Sequence, residues 1–457
     1  MQSQQSATQR KISLTGSAIV LLLGFLCILG KPIFASPVIK GLGIRPQEAS
    51  IVVSPGECQI NGATVRLNKE SILTVDPVEN VTVKDEAIKL SPDKPASYNK
   101  GTRLWHMNSA RLAFNAQSLV IRRSIGGEAL VEGKDYLVSP EFGMVGIGPE
   151  STVTTNETVY ASYTYSLMRI DAVDITAKGE VIVWRGIPHV SKPQPPALVD
   201  GCFRLANIFR PYRATIVSQD DIYPMLETAA DAKTATTPGR IPKILAKLHA
   251  KQPVTIVCWG DSVTAGGDAS SPATQYVSVF AEGLRQRFPG VPIQVINISV
   301  GGSNSGQWLY PEKNPPFPGQ KGIDFQRIVD AHPDLVTVEF VNDSWLSSDS
   351  VNKNYSEMLQ RFSAMQAETI FITPHFMDFP LMGFHAMRDT ENRRYVFTLR
   401  QFAEAHCIAL ADASARWEHL WKEGIPYMTL IANTINHPDD RGHRIFAEEL
   451  WKCFGEE

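Results

Sequence analysis

Five short apolar runs separated by helix-length segments most tightly constrain what residues 251–457 can form. The runs are 254–259 (VTIVCW), 293–298 (IQVINI), 335–340 (LVTVEF), 369–373 (TIFIT) and 408–411 (IALA). Helical patterning falls between or after them, at 276–288, 355–366, 393–404 and 442–453. Strands alternating with helices predict a parallel sheet covered on both faces. A strand buried on both faces needs no polar alternation, which accounts for VTIVCW.

The remaining chain reads differently. The whole chain, at 457 residues, is too long for one core and is expected to hold two domains plus extensions. Residues 37–227 carry short β-like runs such as TVYASYTY, broken by SPGE, SPDKP and TAKGE, with a proline-rich stretch at 188–197. They predict a β-rich accessory domain, one sandwich or two small ones. Residues 228–250 form a polar linker and a lead-in helix, and residues 1–36 read as an export signal. In that segment Arg10 and Lys11 precede an apolar stretch at 18–30, followed by Pro32 and the small pair Ala35-Ser36. The stretch is short for a membrane span, so cleavage is expected, with an uncleaved anchor as the alternative and the only expected membrane contact. The product would be exported, to a periplasm or beyond the cell. Of the five cysteines beyond residue 36, Cys58 with Cys202 is the only pair that would close one domain on itself, whereas Cys258 and Cys407 lie in strand-like runs. A formal net charge of −3 without a basic run gives no support for a nucleic-acid partner. No cysteine or histidine spacing suits a metal, and no phosphate-binding glycine loop occurs, so neither metal nor cofactor is expected.

In a parallel sheet the residues just past the strand ends gather on one edge, where ligands bind. Ser262 follows the first run, Gly301-Gly302 the second, Asn342-Asp343 the third, and His437 comes after the fifth. A serine hydroxyl attacks an acyl carbon only when a base takes its proton, and the transition state needs donors for its oxyanion. Ser262 is therefore the candidate nucleophile and His437 the base. The Ser262 and Gly302 N–H groups and the Asn342 amide are candidate oxyanion donors.

The segments WGDSVTAGG, NISVGGSNS, EFVNDS and NHPDDRGH resemble, in order, the four signature blocks of the SGNH, or GDSL-type, hydrolase superfamily. The resemblance covers roughly residues 250–457 and implies a three-layer α/β/α, flavodoxin-like domain acting as a serine esterase with the residues just named. Two positions depart from it. Phe340 replaces a glycine and is expected to narrow the pocket. Thr434 stands where the family's triad aspartate belongs, three residues before His437. Threonine cannot carry the charge that steadies an imidazolium, so Asp412, Asn433 or Asn436 is expected to orient His437, or the pair acts as a dyad.

Other polar residues have expected roles. Asp261 should position the nucleophile turn, Asp439-Asp440 should begin a helix, and His443 should cap or pack. His375, Trp308 and Trp345 are candidates for the substrate wall. Export, a β-rich partner domain and aromatic residues in the loops after the second and third runs (Trp308, Tyr310, Phe317, Trp345) resemble enzymes that remove acetyl groups from carbohydrate. Acetyl esters on carbohydrate are therefore the expected substrates. A lipase- or thioesterase-like acyl hydrolase and a non-catalytic carbohydrate- or surface-binding protein are the alternatives.

Overall fold

The computed structural model describes residues 39–96, 100–104 and 110–455. The expected signal or anchor at 1–36 lies outside them. No helix among the described residues is long and apolar enough to cross a membrane.

The C-terminal region is a five-stranded parallel sheet built from β1 (Val254–Gly260), β2 (Ile293–Ser299), β3 (Leu335–Glu339), β4 (Glu368–Ile372) and β5 (Ala409–Ala411). Their spatial order is β2-β1-β3-β4-β5, the flavodoxin-like order expected from the resemblance. β1 is paired on both edges and almost wholly buried, as its unbroken apolar run requires. Among the described residues eight α-helices accompany the sheet: α1 (Pro242–His249), α2 (Tyr276–Arg287), α3 (Ser305–Leu309), α4 (Gln326–Asp330), α5 (Ser348–Ala364), α6 (Arg394–Ala405), α7 (Ala413–His419) and α8 (Asp440–Cys453). Two apolar clusters divide the sheet's side chains. One joins α1, α2 and α8 to Ile256, Cys258 and Ile370, and the other joins α5 and α6 to Val257, Trp259 and Phe371. These are the two covered faces of a three-layer domain. Asp439 caps α8 by accepting the N–H groups of Arg441 and Gly442, as expected for an acid at a helix start.

Two sequence expectations need correction. Phe340 is fully buried and sits edge-to-face on Trp259 at 5.0 Å, so it fills the core instead of narrowing a pocket. Cys407 is exposed at φ 54°, in the turn that precedes β5 rather than in the strand.

Among the described residues the β-rich region holds two large apolar cores and a small third one around Met168, Ile170, Phe209 and Tyr223. One large core gathers Ile51, Val53, Val65 and Val75 with Val173, Ile175 and Ile208. The other runs from Val83 to Tyr165, with Val190 added, so the second unit is inserted into the first. In the inserted unit, Val159–Ser166 pairs antiparallel with both Asn80–Ile88 and Phe114–Arg122, and its alternation points every second residue inward. Cys58 and Cys202 are free thiols. Contacts bind this region to the hydrolase-like one. Asn207 Nδ2 donates to the Gly424 carbonyl at 2.7 Å, and the Arg388 guanidinium lies 4.7 Å from the centre of the Tyr223 ring.

Candidate active site

The strand order reverses direction between β1 and β3, and the turns after β1, β2 and β3 meet there. Ser262 stands on the first turn. Val300 N–H bonds the Gly260 carbonyl at 3.2 Å, which ties the second turn to the first. A Cβ placed on Gly301 would lie 3.8 Å from Ser262 Cβ, so the Gly301-Gly302 turn borders the nucleophile. Gly302 has φ 71°, a left-handed conformation that favours glycine. Among the described residues the N–H groups of Ser262 and Gly302 have no protein acceptor. Asn342 spends one amide hydrogen on the Ser303 carbonyl at 3.0 Å, and its second is the one available to a ligand. Asp261 fixes the arrangement by accepting Val263 N–H at 3.1 Å and Asn342 N–H at 3.0 Å. That is the turn-positioning role expected of it.

His437 arrives from the loop before α8. Its Nε2 lies 2.9 Å from Ser262 Oγ and its Nδ1 lies 2.7 Å from Asp268 Oδ2. The consistent tautomer carries the proton on Nδ1, facing the carboxylate, and accepts the serine hydroxyl at Nε2. The hydrogen bond from His437 holds the Asp268 carboxyl below its ordinary range against the opposing effect of burial. The charges of His437, Lys192 and Arg103 lower it further.

Asp268 was not among the residues singled out from sequence, yet a signal was present in TAGGD. A Cβ at Gly267 would stand 2.9 Å from His437 Nδ1 and 3.0 Å from its Cε1, so only glycine lets the imidazole approach. Asp268 itself adopts φ 60°, which aspartate tolerates better than most residues.

The three sequence candidates for orienting His437 do other work. Asp412 caps α7 and takes Arg400 at 2.9 Å, Thr373 Oγ1 at 2.9 Å and Ala235 N–H at 3.0 Å. With its carboxylate so engaged, it does not serve His437. Asn433 Oδ1 accepts the N–H groups of Ile435, Asn436 and His437 at 2.9, 2.9 and 3.0 Å, shaping the loop's backbone and not the ring. Asn436 Oδ1 accepts from Asn433 Nδ2. Thr434, at φ 56°, turns its hydroxyl to the N–H of Arg111 in the β-rich region at 3.0 Å.

Two of the three wall candidates are also corrected. Trp308 is buried against Trp259 with Nε1 donating to Ser303 Oγ at 2.9 Å, so it supports the second turn from within the core. His375 is fully buried between Trp417 and Phe446, and its Nε2 meets the Asn436 carbonyl at 2.8 Å. It braces the histidine loop from below. Trp345 is 63% exposed, in the stretch after β3, and Phe317, after β2, is 60% exposed.

Buried acids underlie the nucleophile. Glu339 accepts Thr264 Oγ1 at 2.9 Å and is fully buried, while its Oε1 has no partner among the described residues. Burial and the neighbouring Asp261 push its carboxyl well up. Asp261 is also raised by burial, against the two N–H groups of Asn342 and Val263 that favour its anion. Burial also pushes Asp343 up to about 6. Among the described residues no cluster of three or more histidine, cysteine or acidic side chains is placed to hold a metal ion.

A hydroxyl, an imidazole and a carboxylate in series, beside unengaged N–H groups at the switch point of a parallel sheet, form the arrangement of acyl-transferring hydrolases. Residues 258–445 match the GDSL-like Lipase/Acylhydrolase family, and the C-terminal region is a domain of that family.

Among solved structures, a two-domain esterase active on acetylated mannans is 16% identical with a TM-score of 0.39, the match covering 50% of this chain and 57% of that one. This chain therefore spans little more than half of that protein's length. The acetylxylan esterase Axe2 from Geobacillus stearothermophilus, in a variant form, is 18% identical over 45% of this chain and 95% of its own, with a TM-score of 0.36. LAE5, an alpha/beta hydrolase from the metagenome of Lake Arreo, Spain, is 18% identical over 49% and 98%, with a TM-score of 0.35. No curated protein matches the chain.

Proposed function

We propose that this chain is an exported serine esterase that removes acyl groups, acetyl above all, from carbohydrate. The observation that carries the catalytic part is the series from Ser262 Oγ through His437 to Asp268, at 2.9 and 2.7 Å. Ser262 Oγ attacks the ester carbonyl as His437 Nε2 takes its proton, and the imidazolium is held by Asp268. The Ser262 and Gly302 N–H groups and Asn342 Nδ2 receive the oxyanion. His437 then protonates the departing alcohol and activates the water that releases the acid. The non-catalytic alternative rests on the missing family aspartate and on the large β-rich region, and Asp268 at Nδ1 speaks against the first of these.

The carbohydrate part rests on Trp345 and Phe317, exposed aromatic faces in the stretches after β3 and β2 on which sugar rings can pack. Export rests on the sequence pattern of residues 1–36.

The test is hydrolysis of p-nitrophenyl acetate by the wild type and Ser262→Ala, followed by acetate release from acetylated xylan and mannan beside p-nitrophenyl palmitate. Ser262→Ala is expected to lose about 10⁶-fold in kcat, with acetylated glycans preferred over the long acyl ester. Equal rates in wild type and variant would sink the esterase, and preference for palmitate would sink the substrate assignment.

A further inference from the structure

The carboxylate that faces His437 stands on an exposed loop at positive φ, although its orientation decides whether it can serve the imidazole. Something must hold that loop. One helix reaches it twice. Asp440 in the first turn of α8 accepts Ser270 N–H on Oδ1 at 2.7 Å and the Ser270 hydroxyl on Oδ2. His443, about one turn further along, meets the Gly267 carbonyl through Nε2 at 3.2 Å. These two anchor points bracket Asp268.

We propose that Asp440 and His443 are positioning residues, with α8 clamping the loop at Gly267 and Ser270 and thereby fixing the Asp268 carboxylate on His437 Nδ1. The inference rests on the esterase reading and deepens it. The same helix also sets the base, because His437 lies just before the Asp439 cap of α8. Acid and imidazole are thus referenced to one rigid element although they come from loops 169 residues apart in sequence. An acid outside the usual triad position works only if such a common frame exists, since a misplacement near 1 Å removes much of the benefit of prearranged groups.

The chemistry of the clamp is self-consistent. His443 Nδ1 accepts Tyr276 N–H at 3.4 Å, which leaves the proton on Nε2 to donate to Gly267. Burial holds this imidazole below its ordinary pKa and therefore neutral, as that tautomer requires. Partial burial works upward on Asp440, yet the hydrogen bonds from Ser270 hold its carboxyl below the ordinary value, with Lys192 of the β-rich region adding to the effect.

The experiment uses the full chain with Asp440→Ala, Asp440→Asn and Ser270→Ala, each in the wild-type and Asp268→Ala backgrounds. Asp440→Ala is expected to lower kcat on p-nitrophenyl acetate roughly ten- to hundredfold with KM little changed. Asp440→Asn, which keeps an acceptor for Ser270, restores most of the loss, and Ser270→Ala shows a smaller one. In the Asp268→Ala background Asp440→Ala adds nothing, because the clamp acts only through Asp268. The downfield proton resonance of the His437 Nδ1–H, which needs no turnover, is expected to vanish in Asp440→Ala. An equal kcat loss in both backgrounds, or an unchanged resonance, would overturn the clamp. Equal rates in wild type and Ser262→Ala would instead overturn the esterase, and the resonance alone would then decide the clamp.

Discussion

The loop at 261–271 and the loop at 431–437 together carry the proposed triad, and each is bonded within itself, but the first is tied from outside to α8 and the second to His375, Asp378 and the β-rich region. In the first, the carbonyls of Asp261, Ser262 and Val263 accept the N–H groups of Ala265, Gly267 and Gly266 at 3.0, 2.8 and 3.0 Å. In the second, Asn433 gathers three N–H groups of its own loop, while from outside His375 holds the Asn436 carbonyl, Asp378 N–H bonds the Ile435 carbonyl and Arg111 N–H bonds Thr434. The first loop carries two of the three proposed catalytic groups, Ser262 and Asp268. The second carries only His437, and its Thr434 hydroxyl accepts Arg111 N–H of the β-rich region.

The sharpest way to break this comparison is to move the acid. Asp268→Ala is expected to cost on the order of 10³- to 10⁴-fold in kcat, since the imidazolium loses its counter-charge and its orienting acceptor. Adding Thr434→Asp, at the family's usual acid position, is expected to restore nothing, because residue 434 faces Arg111 N–H. Recovery of kcat in the double variant would show that position 434 addresses the imidazole after all.

A smaller effect tests how closely the two loops fit. In Gly267→Ala the new Cβ would meet His437 Nδ1 at 2.9 Å and the Ser262 carbonyl at 3.0 Å. One loop must shift, and a loss of roughly a hundredfold in kcat is expected with the melting temperature little changed. Wild-type kcat in this variant would mean that the loops have slack, and that the short series from Ser262 to Asp268 is not what limits the rate.

How much of this was legible in the sequence follows the same division. Ser262, Gly302, Asn342 and His437 were found because each follows a strand or sits in a signature block, so the sheet's topology brings them together. The five strands and four long helices lay within a few residues of their expected places, except that α5 begins at Ser348, a full two turns earlier than its apolar pattern suggested. Asp268 was missed because its role depends on a contact across 169 residues and on a glycine whose missing Cβ makes room. Trp308 and His375 were misplaced for another reason. An aromatic or imidazole near a strand end reads alike whether it faces solvent or core, and here both face the core. The β-rich region hid its insertion because short antiparallel strands announce their turns but not their partners.

The smallest expected effect concerns what lies beneath each loop. Buried acids lie under the nucleophile, and the buried neutral imidazoles His375 and His443 lie under the histidine loop and the Asp268 clamp. Asp343, fully buried, accepts Ser305 N–H at 3.0 Å and the Tyr355 hydroxyl at 3.2 Å, and burial raises it from 3.8 to about 6. Between those values the folded chain holds a proton that the unfolded chain has released. The contribution of Asp343 is therefore present below pH 4 and lost as pH rises through about 6, by up to about 3 kcal/mol. The imidazoles work the other way: their depressed folded values mean that the unfolded chain gains protons as pH falls below 6.5, and stability falls with it. Asp343→Asn keeps a carbonyl for Ser305 and cannot titrate, so the difference between variant and wild type isolates one acid from the opposing histidines. Urea denaturation at pH 4 and 7.5 is expected to show the variant gaining on the wild type by up to about 3 kcal/mol as pH rises. Parallel profiles would mean that Asp343 is already ionised in the folded protein at pH 4, and that the acids under the nucleophile are far better solvated than their burial implies.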